Sequence, residues 1–202
     1  MTDHLLSDRD LDLIFRDARS YNSWTDQPVT NVELQAVYDL MRMGPTSANC
    51  QPARLVFCQS KEARQTLADC ADEGNREKIR TAPVTAIIGM DMEFYEKLPK
   101  TFPHTDARSW FMDDDGNPLT GKVEETAFRN SALQGAYLIV AARAVGLDCG
   151  PMSGFDAKKV EAAFFAGTPV KANFICALGH GSGDDLFPRS PRLPFDEACE
   201  IQ

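Results

Sequence analysis

The segment at residues 44–54 (GPTSANCQPAR) constrains the fold more than any other stretch of the chain. It ends one amphipathic run and leads directly into the apolar run at residues 55–58. Its two prolines restrict the backbone, while the amides of Asn49 and Gln51 can donate and accept hydrogen bonds without carrying charge. Such a stiff, neutral loop suits a planar polar ligand, although a Gly-Pro pair alone is an ordinary helix ending.

The composition indicates one soluble domain over residues 1–202. The chain is 43% hydrophobic and 25% charged, as is usual for globular proteins, and a domain of this length buries about 70% of its unfolded surface. No apolar run approaches the roughly 20 residues that span a bilayer, and the N-terminus lacks a signal-peptide pattern. The net charge of −9 argues against nucleic acid and anionic membranes as partners. We predict a cytoplasmic protein.

The cysteines and histidines indicate neither disulfides nor a metal site. The six cysteines contain no C-x-x-C pair and are expected to be free thiols in a reducing compartment. The three histidines, His4, His104 and His180, are scattered along the chain without the spacing of metal ligands.

Hydrophobic periodicity and capping residues predict more helix than strand. Helices are expected after Ser7, Thr30, Ser60 and Asp156 and over residues 122–145, and strands over residues 55–58, 83–88 and 172–178. The first of these strands is predicted to be buried. Because no G-x-G-x-x-G follows a strand, a Rossmann domain is disfavoured.

Residues 91–121 form an aromatic-rich insert that prolines and an acidic turn interrupt. One interpretation is a surface excursion whose aromatic side chains simply dock it to the core. The other is a lid over a ligand site, since long loops in compact domains tend to be functional. We favour the lid.

Four segments in this order resemble the FMN-dependent nitroreductase family. They are RDARS at residues 16–20, PTSANCQP at 45–52, GLDCGPMSGFD at 146–156, and ALGHG with FPRSPRLP at 177–181 and 187–194. The PTSANC form is similar to the malonic semialdehyde reductase (RutE-type) subgroup. The resemblance implies an α+β nitroreductase-like fold with a central, mainly antiparallel sheet flanked by helices. It also implies an interlocked homodimer with FMN at its interface and NADH or NADPH as reductant.

The resemblance assigns three groups of FMN-binding residues. The phosphate group is expected to contact Arg19, Ser20, Arg189 and Arg192. The ribityl chain and pyrimidine edge are expected to contact Ser47, Asn49 and Gln51, with Pro52 packed on the ring. Pro151, Met152, Ser153 and Gly154 are expected to pass over the isoalloxazine with their backbone amides near N5 and O4. No side chain is expected to act as a dedicated acid or base, because FMN N5 carries the hydride. The alternative for the arginines is a role in surface ion pairs.

Three residues depart from the common family pattern. Ala18 and Asn22 stand where basic residues are usual, which weakens the phosphate site unless Arg16 or Arg189 substitutes. Ala53 stands where tryptophan is usual and leaves space near the ring or the dimer seam.

The activity that the resemblance implies is reduction of malonic semialdehyde to 3-hydroxypropionate by ping-pong hydride transfer. Lys97, Lys100, His104 or Arg108 in the insert could hold the carboxylate of this small-molecule electrophile, although the expected role of each is a solvated surface charge. The alternatives are a broad nitro, quinone or enone reductase, a non-catalytic flavin-binding protein, and an acidic interaction domain without flavin.

Overall fold

The computed structural model describes residues 5–202. The helices are α1 (Asp8–Leu11), α2 (Asn31–Met41), α3 (Lys61–Cys70), α4 (Glu73–Thr81), α5 (Leu98–Thr101), α6 (Thr120–Ala144), α7 (Ala157–Phe164) and α8 (Phe195–Ala198). A π-helical turn, Asp12–Arg16, continues α1, and 3-10 turns cover Ser47–Asn49, Phe94–Lys97 and Arg108–Phe111. The strands are β1 (Ala53–Cys58), β2 (Val84–Asp91), β3 (Asp148–Met152) and β4 (Val170–Gly179).

The four strands form one antiparallel sheet in the order β1-β2-β4-β3. Every residue of the central strand β2 is buried, whereas only the last residue of the edge strand β1 is. The prediction of a buried strand at residues 55–58 is met in full by Cys58 only, since the other three residues are partly buried on this edge strand. The predicted α+β fold, with an antiparallel sheet flanked by helices, is confirmed.

The predicted helix starts carry the expected caps. The hydroxyls of Ser7 and Thr30 accept from the backbone N–H three residues later, and the acidic side chain there accepts from the cap backbone N–H. Ser60 and Asp156 cap α3 and α7 in the same way through their side chains. These local signals are sufficient to place four of the helices.

Strand β3 was not predicted as a strand. Its sequence, Asp-Cys-Gly-Pro-Met, is poor in residues that favour strands. It lies at the second edge of the sheet, where Pro151 is tolerated because an edge strand leaves one row of N–H groups unpaired.

The insert at residues 91–121 packs its aromatic side chains against the start of α6. Phe94, Tyr95 and Phe111 are buried in one cluster with Val123 and Ala127. The Phe94 and Phe111 rings meet edge to face, with centroids 4.9 Å apart. This arrangement agrees with the docking interpretation, and the lid remains a prediction.

Within residues 5–202, no helix is long and apolar enough to cross a membrane. The same residues contain no cluster of three or more histidine, cysteine, aspartate or glutamate side chains arranged to hold a metal ion. His4 lies outside the described residues. All six cysteines are free, and five of them are buried.

Candidate functional site

Helix α6 holds both ends of the amide-rich loop. The Asn130 Oδ1 atom accepts from the backbone N–H of Ser47 at 2.8 Å, and Gln134 Oε1 accepts from the backbone N–H of Ala53 at 2.8 Å. Both amide side chains are buried, at 1% and 4% exposure. Their spacing of four residues places them on one face of the helix, so α6 fixes the loop at two points.

The loop backbone between these points is strained. Ala48, Asn49 and Gln51 have φ values of 47°, 48° and 43°. For residues other than glycine, this left-handed conformation costs roughly 1–2 kcal/mol each, and such strain concentrates at functional sites. The sequence gives no signal for it at Ala48 or Gln51, while asparagine is a residue that tolerates this conformation.

The polar side chains of the loop are only partly satisfied. Asn49 Nδ2 donates to the Thr101 carbonyl at 2.8 Å, and Gln51 Nε2 donates to Asn49 Oδ1 at 2.8 Å. The Ser47 hydroxyl and Gln51 Oε1 make no hydrogen bond within the described part of the chain. The loop thus retains a donor and two acceptors for a ligand. Pro52 is buried inside the chain, with its carbonyl bonded to the Asp91 N–H, and it does not face this space.

A cavity of about 1340 Å³ lies between this loop and the insert. Its lining includes Asn49, Gln51, Ala53 and Arg54 from the loop and Glu96, Lys97, Lys100 and Thr101 from the insert. The small side chain of Ala53 leaves this cavity open where the family usually has tryptophan.

Two basic residues on the cavity wall, Arg54 and Lys97, share one carboxylate. Arg54 Nη2 and Lys97 Nζ both contact Asp91 Oδ2, at 2.5 and 2.9 Å. Burial acts to raise the pKa of Asp91, but hydrogen bonds from Lys97 and the Glu93 N–H and the charge of Arg54 hold it below the usual value. One carboxylate therefore faces two cations.

Of the basic residues predicted to hold a carboxylate, two are already engaged. Lys97 is bound to Asp91, and Arg108 forms a two-point ion pair with Glu96 at 2.9 and 2.7 Å. Lys100 lines the cavity and forms no salt bridge within residues 5–202. The His104 ring lies beside that of Phe102, with centroids 5.2 Å apart, and His104 does not line this cavity.

A second cavity, of about 490 Å³, brings together the residues predicted for the phosphate group. Its lining contains Arg19, Ser20, Arg189 and Arg192, the variant positions Ala18 and Asn22, and also Phe15, Arg143, Phe187, Pro188 and Ser190. Residues from the start, middle and end of the chain therefore meet here. We call this the arginine cavity.

None of its four arginines forms a salt bridge within residues 5–202. Each donates to a backbone carbonyl instead: Arg19 to Phe187, Arg143 to Ile14 at 3.1 Å, Arg189 to Ala18 at 3.0 Å, and Arg192 to Ser190 at 2.9 Å. The surface ion pairs considered as the alternative for the predicted arginines are not found among residues 5–202. Arg16 does not substitute for the missing basic residues, because it pairs with Asp8 and Asp12.

Strand β3 runs beside the arginine cavity. Ser20 bridges Cys149, and the Tyr21 N–H donates to the Cys149 carbonyl at 3.0 Å. Beyond this point Pro151 and Ser153 are exposed, whereas Met152 is buried in the core. The Met152 side chain therefore belongs to the core, and the backbone role of this residue remains a prediction.

Gly154 makes its close approach to α4. Its carbonyl accepts from the Asp72 N–H at 3.0 Å and from Asn75 Nδ2 at 2.9 Å, and an added Cβ would lie 2.7 Å from Asn75 Nδ2. A side chain at this position would therefore collide with Asn75 of α4.

Lys78 on α4 is a residue that sequence reasoning missed. It is half-buried beside β3, since a Cβ on Gly150 would lie 3.4 Å from its Cδ. Burial lowers the pKa of its ammonium group, and no salt bridge to it is found within residues 5–202. No sequence motif contains Lys78, and the sequence places it only near the end of a helix that precedes β2.

The loop and the arginine cavity lie far apart in one chain. Asn130 holds the loop, and Arg143 lines the arginine cavity, so 13 residues of α6 separate them. At 1.5 Å per residue, this is about 20 Å along the helix. The two cavities share no lining residue.

Comparison with known proteins agrees with this architecture. The nitroreductase family model matches residues 16–181. A Stenotrophomonas maltophilia protein provisionally named NADH dehydrogenase/NAD(P)H nitroreductase is 58% identical over 198 residues, 98% of each chain. A provisionally named nitroreductase from Bacillus subtilis has a similar fold, with a TM-score of 0.84, 20% identity and coverage of 96% and 99%. Another, from Exiguobacterium sibiricum in complex with FMN, has a TM-score of 0.81 and 21% identity over the whole of both chains. The chain belongs to the nitroreductase family.

Proposed function

We propose that this protein is an FMN-dependent NAD(P)H oxidoreductase. The observation that carries the proposal is the arginine cavity. Four guanidinium groups that have no carboxylate partner among residues 5–202 meet there, in a chain of net charge −9. A phosphate monoester carries about −1.5 to −2 charges at neutral pH, and arginine suits phosphate because its donors form a planar fork. The nicotinamide-dependent name of the relative and the FMN complex of the structural neighbour support the same assignment.

The residues present fit FMN. Arg19, Arg189 and Arg192 would hold the phosphate, with Ser20 as a further donor. The unsatisfied groups of Ser47 and Gln51 suit the hydroxyls of the ribityl chain and the alternating donors and acceptors of the pyrimidine edge. When bound, FMN supplies a centre that accepts a hydride and passes it on. Lys78 would place positive charge beside β3, where negative charge on the cofactor would be stabilised.

The site requires a second copy of the chain in this proposal. One chain places its loop about 20 Å along α6 from its arginine cavity, so a homodimer is the simplest way to bring a loop to a cavity. Exposed apolar residues support such an interface: α6 presents a groove lined by Phe128, Ala132, Leu133 and Ala136. Contiguous exposed apolar surface of this kind marks interaction sites. Sedimentation of the purified protein at several concentrations tests this step.

The substrate that we propose is malonic semialdehyde, which is reduced to 3-hydroxypropionate. In this reaction NAD(P)H supplies a hydride to the aldehyde carbon and a proton from solvent completes the alcohol, while NAD(P)⁺ is released. The substrate carries a carboxylate, and Lys100 lines the loop cavity without an ion pair within residues 5–202. Residues 91–121 would cover this cavity as a lid, since Asn49 already bonds to the Thr101 carbonyl.

A broad nitro, quinone or enone reductase is the second candidate. The NAD(P)H nitroreductase name of the relative that is 58% identical favours it. Steady-state rates with malonic semialdehyde and with nitrofurazone separate the two. Failure to reduce the aldehyde, with turnover of nitrofurazone, would leave the broad reductase.

The oxidoreductase assignment has its own test. The protein is incubated with FMN, desalted, and mixed anaerobically with NADH and then with NADPH. Near-stoichiometric flavin absorbance that bleaches with either reductant supports the proposal. Retained flavin that neither reductant bleaches would indicate a non-catalytic flavin-binding protein, and absence of retained flavin would remove FMN from the proposal.

A further inference from the structure

Arg143 lies on the wall of the arginine cavity, although no sequence motif selects it. It belongs to the last turn of α6 and is half-buried. Its Nη1 atom donates to the Ile14 carbonyl at 3.1 Å, whereas its Nε atom is buried and has no hydrogen-bond partner among the described residues. The guanidinium group is therefore only partly satisfied.

An unsatisfied guanidinium group in this position is costly. Arginine stays protonated in proteins, so its charge cannot be removed by a pKa shift. A buried polar atom without a hydrogen-bond partner destabilises the folded chain, as Arg143 Nε does here, and Arg143 forms no salt bridge among the described residues. The Cys176 thiol lies within electrostatic range of Arg143, but the neighbouring Cys149 thiol and burial raise its pKa well above the usual value, so it supplies no counter-charge. An anion in the cavity would supply one.

Two further lining positions provide no positive charge to this cavity, although basic residues are usual there in the resembled family. Ala18 and Asn22 line the same cavity and carry no charge. Arg143 reaches the cavity from α6, a different element from the segment that contains those residues. Arg143 therefore places a positive charge in the cavity that lacks one at Ala18 and Asn22.

We infer that Arg143 binds the phosphate group of FMN and replaces the positive charge that Ala18 and Asn22 do not provide. This inference rests on the proposed function. It makes Arg143 a determinant of selectivity for the phosphorylated flavin, because riboflavin has the same ring and ribityl chain without the phosphate.

The experiment compares the dissociation constants of FMN and riboflavin for three forms of the apoprotein: wild type, Arg143→Gln and Arg16→Gln. The glutamine retains a donor for the Ile14 carbonyl and removes the charge. Loss of one charge-assisted hydrogen bond predicts roughly 10- to 150-fold weaker FMN binding by Arg143→Gln, with riboflavin binding unchanged. Arg16 is the matched control, since it lies nearby but is paired with Asp8 and Asp12, and its variant is expected to bind both flavins as wild type does.

Less than a threefold loss of FMN affinity in Arg143→Gln would overturn the inference. An equal loss of affinity for FMN and for riboflavin would also overturn it, because that result indicates a structural role for Arg143. Wild-type protein that binds neither flavin would overturn the proposed function itself. If Arg143→Gln does not fold, as judged by circular dichroism, Arg143→Met, which keeps an unbranched aliphatic side chain and removes the charge, decides the question. Inorganic phosphate is then expected to raise its melting temperature less than that of the wild-type apoprotein, and an equal rise would contradict phosphate binding by Arg143.

Discussion

Asn130 and Ser47 lie 83 residues apart in sequence, yet the side chain of the first accepts a hydrogen bond from the backbone of the second at 2.8 Å. Asn130 also donates through Nδ2 to the Thr126 carbonyl, which fixes the orientation of its amide. The loop proposed to hold the flavin thus takes its position from the interior of α6. Its geometry depends on a polar residue that is buried inside the chain.

Replacement of Asn130 by leucine should loosen this loop. The change leaves the Ser47 N–H without its acceptor, and such a loss costs about 1–3 kcal/mol. We expect a lower free energy of unfolding in urea and weaker FMN binding. Gln35→Leu is the control, because Gln35 is an exposed amide on α2. Unchanged stability and FMN affinity in Asn130→Leu would show that the loop holds its shape without α6.

Replacement of Arg192 by alanine should weaken FMN binding by roughly 10- to 150-fold, the equivalent of one charge-assisted hydrogen bond. Arg192 lines the arginine cavity, and its Nη1 atom bonds only to local carbonyls. Fluorescence titration of the apoprotein with FMN measures the effect. Arg80→Ala, which removes an arginine that is paired with acidic residues on the surface, should leave the affinity unchanged. An equal affinity for Arg192→Ala would remove this residue from the site.

The sequence predicts which residues belong to the candidate site better than it predicts how they are arranged. Arg19, Arg189 and Arg192 are marked by motifs, and the structure brings them together with Ser20. Arg143 has no motif, because its place on the wall of the arginine cavity depends on how α6 packs against the rest of the chain. Long-range contacts of this kind leave no local signal in one sequence.

The same contrast holds for the fold. Four helix starts are predicted because a capping side chain and its partner are three residues apart, which is a local relationship. The partial burial of β1 and the formation of a strand at β3 depend on which strands become the edges of the sheet. The left-handed backbone at Ala48 likewise depends on the two contacts from α6, and alanine itself gives no indication of it.

Asp91 should make the stability of the protein depend on pH. The pKa of its carboxyl is held below the usual value of 3.8 in the folded chain, so the unfolded chain binds more protons in this range. The stabilisation is therefore fully present above about 3.8 and is lost as the pH falls through the lower, folded value. We expect Asp91→Asn to lose about 1–3 kcal/mol at neutral pH, because two cations lose their partner but still reach water.

Urea denaturation of wild type and Asp91→Asn between pH 7 and about pH 2.5 measures this component. The difference between the two proteins should narrow as the pH falls below 3.8. Asp69→Asn, a change to an exposed aspartate on α3, serves as the control and should show little difference at any pH. A constant difference for Asp91→Asn across this range would mean that the carboxylate does not carry the effect.

Gly135 should be intolerant of a side chain even though it lies within a helix. Alanine normally stabilises a helix interior by about 0.5–1 kcal/mol relative to glycine, but a Cβ here would lie 2.3 Å from the Phe174 ring. Overpacking of this kind costs about 1–3 kcal/mol, so Gly135→Ala should lower the free energy of unfolding. Gly121→Ala, on the same helix with no atom within 4 Å of the new Cβ, should not. Equal stabilities would place Phe174 elsewhere in solution.

Lys100 should distinguish a charged substrate from a neutral one. It is exposed, lines the loop cavity and forms no ion pair within residues 5–202, so its charge is available to the carboxylate of malonic semialdehyde. An exposed charge pair contributes up to about 1 kcal/mol, which predicts that Lys100→Gln raises the KM for the aldehyde roughly 2- to 5-fold. The KM for nitrofurazone, which is uncharged, should not change.

The control is Lys158→Gln, which removes an exposed lysine from α7 and should change neither KM. Added salt should reduce the advantage of wild type over Lys100→Gln, because screening weakens interactions between exposed charges. The KM for NADH is measured in parallel, since its phosphates are also anions. A rise in that value alone would mean that Lys100 serves the reductant and would argue against its role with the aldehyde.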